Sequence, residues 1–186
     1  MTISALSPKR WIGSLDPRLC HAASRWAARR SVHRTFAIVS RLGDGHVWYG
    51  LMAVLAVCAG SRGTYAALHM AGTGFIAWLS YRTLKRRTRR PRPFRAHPGV
   101  VARAIPLDEY SFPSGHTLHA ISFTIVAVGW FPLLALLLIP FTVLVAMSRV
   151  VLGLHYPSDV VAGLLIGAAL GTFSWWAFTA FVPAPI

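Results

Sequence analysis

Acidic residues are nearly absent from this chain. Its 186 residues include five, Asp16, Asp44, Asp108, Glu109 and Asp159, against 19 lysines and arginines. A centre built on two metal ions needs a nest of carboxylates, which so few acids can hardly supply; no metal or other cofactor is expected. Cysteine is equally scarce: Cys20 and Cys58 stand far apart, without a disulfide framework, zinc spacing or redox pair. No internal repeat or low-complexity tract occurs. Residues 1–30 lack the apolar core of a signal peptide, because Arg18, Arg25, Arg29 and Arg30 interrupt them. Charged residues make up only 13% of the whole, about half the share of a typical soluble protein.

Apolar residues fill the space, at 55% of the chain, which places it among membrane proteins. The length suits one domain. A formal charge of +14 could suggest nucleic acid, but the basic residues crowd into the first 41 positions and into 82–103, beside apolar runs. A membrane surface or a phosphate-bearing lipid is the more natural anionic partner. Oligomeric state leaves no mark in the sequence.

Residues 15–42 alternate arginines with Trp26, Val32, Phe36, Ile38 and Val39. That pattern predicts an amphipathic helix lying in the membrane interface, or a tilted, weakly hydrophobic span. Gly43-Asp44-Gly45 breaks it. Apolar runs at 47–60 and 65–84 predict two spans, with Trp48 and Tyr49 at a headgroup boundary. After a polar, proline-containing loop from Lys85 to about Pro113, the charge-free stretch 117–148 is too long for one crossing at ~1.5 Å per residue. Pro132 marks a hairpin between two spans, and Pro140 would kink the second. A last span covers 160–181, where Gly163, Gly167 and Gly171 repeat every fourth residue as a stripe for close helix packing. The expected fold is an all-α membrane protein: a six-helix bundle of about five transmembrane helices plus the N-terminal amphipathic or tilted helix. Residues 1–44 form a basic N-terminal segment and 45–182 the membrane-embedded core.

Three clusters carry the chemistry: Lys85…Arg92-Pro93, Pro113-Ser114-Gly115-His116, and Ser148-Arg149…His155…Asp159. The hydrophobic runs alone place all three on one side of the membrane. Three cations can surround a phosphate, one imidazole can attack it and another can protonate the leaving oxygen. Asp159, at the mouth of an apolar helix, needs a partner, and His155 lies four residues earlier, on the same face if the turn is helical. Taken alone, that pair would also fit a helix cap by Ser158 or Asp159 beside a structural histidine.

The set resembles the signature of the type 2 phosphatidic acid phosphatase superfamily, which includes the vanadium haloperoxidases: Lys, six residues, Arg-Pro; Pro-Ser-Gly-His; Ser-Arg, five residues, His, three residues, Asp. Every specified position is present, over a region of about 45–178. The resemblance implies a six-helix core and a phosphohistidine mechanism. In it His155 is the nucleophile, Asp159 orients it and His116 is the general acid. Lys85, Arg92, Ser114, Gly115 and Arg149 bind the phosphate without metal. The substrate would be a lipid phosphate: phosphatidate, phosphatidylglycerophosphate or undecaprenyl pyrophosphate. A vanadate-dependent haloperoxidase shares the site residues, but those enzymes are mostly larger and soluble. A non-enzymatic lipid-binding protein would be expected to have lost one of the two histidines.

Arg86, Arg87, Arg89, Arg90, Arg95 and Arg103 exceed what the signature needs; they read as a solvated loop near anionic headgroups, or as contacts to the second phosphate of a pyrophosphate. Asp108 and Glu109 read as a gate, as partners of the basic loop, or as plain solvated residues. His119 reads as pointing into the bundle, and His21, His33, His46, His69 and His97 receive no role. The expected location is the plasma (inner) membrane, multi-pass. Loop charge favours a cytoplasmic site, whereas many phosphatases resembling this one work on the outer face.

Overall fold

The computed structural model describes residues 15–181, and among these the chain is helical, with no strand. The helices are α1 (Leu15–Trp26), α2 (Arg30–Arg41), α3 (Val47–Cys58), α4 (Gly60–Thr88), the short α5 (Pro93–Ala96), α6 (Gly115–Trp130), α7 (Ala135–Val151) and α8 (Pro157–Phe181). Lys9 and Arg10 of the basic segment, and residue 182 of the expected core, lie outside the described residues.

Breakers in the sequence set the boundaries. Gly43 and Gly45 sit in a π-helical turn over Leu42–His46 that kinks the chain between α2 and α3; Gly45 has φ 131°, a conformation that favours glycine. Arg89 ends α4 in the left-handed region, and Pro91 follows. Pro132 opens the single turn of 3-10 helix that forms the predicted hairpin between α6 and α7. At the start of α8, Asp159 reaches back to accept the backbone N–H of Tyr156 at 2.8 Å, a capping box with Pro157 in the first helical position.

The centre of the bundle is α6, which packs against α8, α4 and α7. The predicted glycine stripe makes its contact with α8 possible. A Cβ on Gly163 would stand 2.6 Å from the Ser114 carbonyl oxygen, and one on Gly167 2.5 Å from that of Leu118. Both are closer than any side chain tolerates, so the two backbones touch. Ser122 Oγ adds a hydrogen bond to the Gly167 carbonyl at 3.1 Å. Outward-facing positions are apolar instead: Leu136, Leu137 and Ile139 of α7 and Leu165, Phe173 and Trp176 of α8 are all exposed. Small residues inside and large apolar ones outside make this a membrane protein. Two stretches, Pro132–Val151 and Pro157–Phe181, are by themselves long and apolar enough to cross. The 12 residues of α3 reach only ~18 Å.

Residues 15–42 differ from expectation. They form two helices with a turn at 27–29, and much of the buried stripe meets protein rather than lipid. On α2, Val32 and Phe36 pack against Val151, Leu152 and Leu154 at the end of α7. On α1, Asp16, Cys20 and Ser24, spaced by four, are buried across the mouth of α8. Leu15, Leu19, Trp26 and Ile38 remain exposed, so each helix keeps an apolar outer edge. The second contact surface comes from the loop after α4, whose Phe94, Ala102 and Ala104 complete the cluster.

Candidate active site

Helix ends, not helix middles, hold the chemistry. Where α4 and α7 finish and α6 and α8 begin, a cavity of about 470 Å³ is lined by Lys85, Arg92, Gly115, His116, Arg149 and His155, together with Asp44 and Asp108. Its remaining walls are apolar, from Trp48, Tyr49 and Met52 of α3 and Phe75 and Trp78 of α4. Ser114 and Asp159 lie fully buried behind the lining, joined by a backbone bond from Ser114 N–H to the Asp159 carbonyl at 3.0 Å. All eight residues singled out by the sequence therefore meet at one place. The contact of Gly163 with the Ser114 carbonyl brings the second and third motifs together.

The imidazole of His155 is oriented by its neighbours. Arg92 Nη1 donates to Nε2 at 3.3 Å, so Nε2 carries the lone pair and the ring proton sits on Nδ1. Nδ1 faces Asp159 Oδ2 at 3.6 Å, a charge contact slightly beyond hydrogen-bond range. Burial first, then the charges of Arg92, Lys85 and Arg149 and the neighbouring His116, hold the His155 pKa well below the ordinary histidine value. At neutral pH the ring is uncharged, and its Nε2 lone pair, held only by the long contact from Arg92, can attack once that arginine turns to a phosphate oxygen.

Lys85 and Arg92 converge on one carboxylate oxygen. Lys85 Nζ and Arg92 Nη2 lie 2.8 and 2.7 Å from Asp108 Oδ1. Burial raises the carboxyl's pKa, but the charges and hydrogen bonds of Lys85 and Arg92 outweigh it and keep Asp108 ionised below the usual range. A phosphate oxygen bound between these donors would have to displace Asp108. Asp108→Asn is expected to tighten inhibition by orthovanadate roughly fivefold, the scale of a half-exposed ion pair; an unchanged or weaker inhibition constant would show that the carboxylate merely decorates the loop. Arg149, in the last turn of α7, donates from Nη1 to Ser40 Oγ at 2.7 Å and lines the other side of the cavity. His116 Nε2 pairs with Asp44. His119 does point into the bundle, its ring nitrogens against the Gly115 and Gly74 carbonyls.

Three site residues were not legible. Arg90 is buried, not solvated with Arg86, Arg87 and Arg89; its Nη1 meets Asp159 Oδ1 at 2.7 Å, its Nη2 meets Asp16 Oδ2 at 2.8 Å, and its guanidinium lies 4.0 Å over the Tyr156 ring. Asp16 also accepts from the Ser158 backbone N–H at 3.1 Å, which ties α1 to the start of α8. Asp44, read only as part of a helix break, reaches the cavity. The available signal was the scarcity of acid: each of the five carboxylates pairs with a cation or histidine at this end of the molecule, Glu109 with Arg95 at 3.7 Å completing the set. Among the described residues no three His, Cys, Asp or Glu side chains gather as metal ligands.

A model of the PAP2 superfamily matches residues 62–183. The decaprenylphosphoryl-5-phosphoribose phosphatase of Mycobacterium tuberculosis is 32% identical over 136 residues, covering 72% of this chain and 73% of its own. The undecaprenyl-diphosphatase of Sulfolobus acidocaldarius is 31% identical over 141 residues, 73% of this chain and 66% of that one. Among solved structures, the transmembrane PAP2-type phosphatidylglycerolphosphate phosphatase of Bacillus subtilis superposes with a TM-score of 0.74 at 25% identity, over 92% of this chain and 87% of that one.

Proposed function

The chain belongs to the PAP2 superfamily, and from that premise we propose a membrane lipid phosphatase that works through a phosphohistidine on His155. The observation that carries this reading is the lone pair of His155 Nε2, turned toward the arginine of the first motif inside a cavity holding Lys85, Arg92 and Arg149. Nε2 forms the bond to phosphorus while the bond from phosphorus to the leaving oxygen breaks. His116 gives its proton to that oxygen. Water then cleaves the N–P bond with His116 accepting its proton, and inorganic phosphate leaves. Lys85, Arg92 and Arg149 stabilise the five-coordinate phosphorus, and the backbone N–H of Gly115, at the N-terminus of α6, adds a donor. Ser114, its own N–H bound to the Asp159 carbonyl, holds that turn in place rather than meeting the phosphate as expected. Asp159 holds the ring tautomer and balances the charge that develops on it. The apolar walls of α3 and α4 suit the lipid tail.

Relatives named for decaprenylphosphoryl-phosphoribose and undecaprenyl diphosphate support a lipid phosphate or pyrophosphate as substrate. The test is phosphate release from phosphatidate, phosphatidylglycerophosphate and undecaprenyl pyrophosphate by the purified protein in detergent. Turnover is expected to survive EDTA, since cationic side chains supply the positive charge, and to be blocked by orthovanadate. Loss on chelation with recovery on adding magnesium would refute the metal-free mechanism, and no release from any substrate would refute the phosphatase.

For location, the proposal is the plasma (inner) membrane with the cavity facing the cytoplasm. Arg18, Arg25, Arg29, Arg30, Arg34 and Arg41 lie on α1, α2 and the turn between them, at the same end as the 85–103 cluster, while Arg62 lies at the far end with Trp130. Single cysteines at Arg95 and Arg62, in a background lacking Cys20 and Cys58, separate the two orientations. With an impermeant thiol reagent on intact cells, position 62 labels and 95 does not; the reverse pattern turns the site outward.

A further inference from the structure

The acidic residue beside the proposed general acid bears on which leaving group the cavity accepts. Asp44 lines the cavity, and its Oδ1 accepts a hydrogen bond from Nε2 of His116. Its place is built into the backbone. Gly43 lies so close to α7 that a Cβ there would meet Val145 Cγ2 at 3.0 Å, and Gly45 adopts φ 131°. The two glycines let the turn press into the bundle and present one carboxylate. Burial disfavours its charge, yet the hydrogen bond and charge of His116, with Arg149 and His46, hold the Asp44 pKa below the usual carboxylate range.

We propose that Asp44 makes this site selective for lipid phosphomonoesters, whose leaving oxygen belongs to a neutral alcohol, over lipid pyrophosphates. The inference rests on the phosphatase reading above, with His116 as acid. When His155 Nε2 bonds to phosphorus and the P–O bond breaks, the electron pair of that bond goes to the leaving oxygen. The oxygen then takes the proton of His116 Nε2, the same proton that faces Asp44. It must therefore come to rest against the Asp44 carboxylate. An alcohol arriving there carries a hydrogen to donate to Asp44. A pyrophosphate brings a second phosphate to that spot, with its own negative charge, and meets repulsion from a carboxylate that is only partly exposed to water.

The charge balance of the cavity agrees. Among the described residues its lining holds three cations, Lys85, Arg92 and Arg149, and two carboxylates, Asp44 and Asp108. Once substrate displaces Asp108, Lys85, Arg92 and Arg149 face the phosphate being transferred, while the charge of a protonated His116 is set against Asp44. The six arginines in excess of the signature are placed elsewhere. Arg86, Arg87, Arg89 and Arg95 are exposed and outside the lining, Arg103 lines a separate surface cavity, and Arg90 is engaged with Asp16 and Asp159.

Phosphatidate and diacylglycerol pyrophosphate share one tail and differ only in the leaving group, so they make the comparison. The intact protein in detergent is expected to show kcat/KM on the order of a hundredfold higher for phosphatidate. Asp44→Asn should narrow that ratio by tenfold or more, because pyrophosphate loses its repulsion while the alcohol keeps only a neutral, weaker acceptor. A variant that only weakened the fold would lower both rates together and leave the ratio alone. Equal or faster hydrolysis of the pyrophosphate by the unmodified protein overturns the proposal, as does a ratio unmoved by Asp44→Asn. Release of phosphate from neither lipid refutes the phosphatase reading itself, and the selectivity with it.

Discussion

His155→Ala abolishes turnover, with kcat/KM lower by at least on the order of 10⁴-fold. The size follows from what the ring does alone. Arg92, Lys85 and Arg149 can still bind and polarise a phosphate after the change, but the other histidines of the lining are engaged: His116 pairs its Nε2 with Asp44, and His119 sets both ring nitrogens against carbonyls. The folded state should persist, because the loss removes one buried side chain and leaves the Arg92 bond to the Leu154 carbonyl, 2.7 Å, in place. Two measurements check this. Labelled lipid phosphate, quenched in alkali, should leave phosphate on the unmodified protein and none on His155→Ala. Near-normal turnover by a well-folded variant would mean that another residue is the nucleophile.

Arg90→Met carries the second large effect, and it acts on stability as well as rate. The arginine is the shared cation of two buried carboxylates, Asp16 and Asp159, each with side-chain exposure of 10% or less. Removing one partner of a buried ion pair leaves uncompensated charge and typically costs about 3–5 kcal/mol. For a chain of this size that corresponds to a fall in melting temperature on the order of 10 °C. Turnover should fall too, because Asp159 Oδ1 loses its anchor and Oδ2 then holds the His155 ring less firmly. Adding Asp16→Asn to Arg90→Met should restore part of the stability by deleting one stranded charge, but not the rate. A single variant melting within a degree or two of the unmodified protein would show that water, not Arg90, neutralises these acids.

The three motifs were readable because their chemistry demands particular residue types at particular spacings, and because apolar runs put them on one side of the membrane. The hairpin at Pro132 and the Gly163–Gly171 stripe were equally plain, each being a local steric requirement. Arg90, Asp16 and Asp44 escaped for a different reason. Nothing in an arginine's immediate neighbours distinguishes a buried Arg90 from the exposed Arg89 beside it; the difference is made by α1, some 70 positions away, which brings Asp16 across the mouth of α8. Likewise, the buried stripe of 15–42 was visible as a stripe, but its partner was hidden. A lipid headgroup boundary and the packed end of α7 select the same residues.

The contact of Gly163 with the Ser114 carbonyl also divides the molecule by tolerance to change. On one side of that seam, α6 and α8 share backbone contacts so close that even a methyl group would push the two histidines apart. On the other, α3 and the part of α4 before Lys85 offer mostly large apolar side chains to the cavity, among them Trp48, Met52, Phe75 and Trp78. The machinery for breaking the bond to phosphorus is thus mechanically separate from the wall that meets the tail. A lineage can alter which lipid enters by drifting along α3 and the part of α4 before Lys85, while the seam keeps the chemistry still.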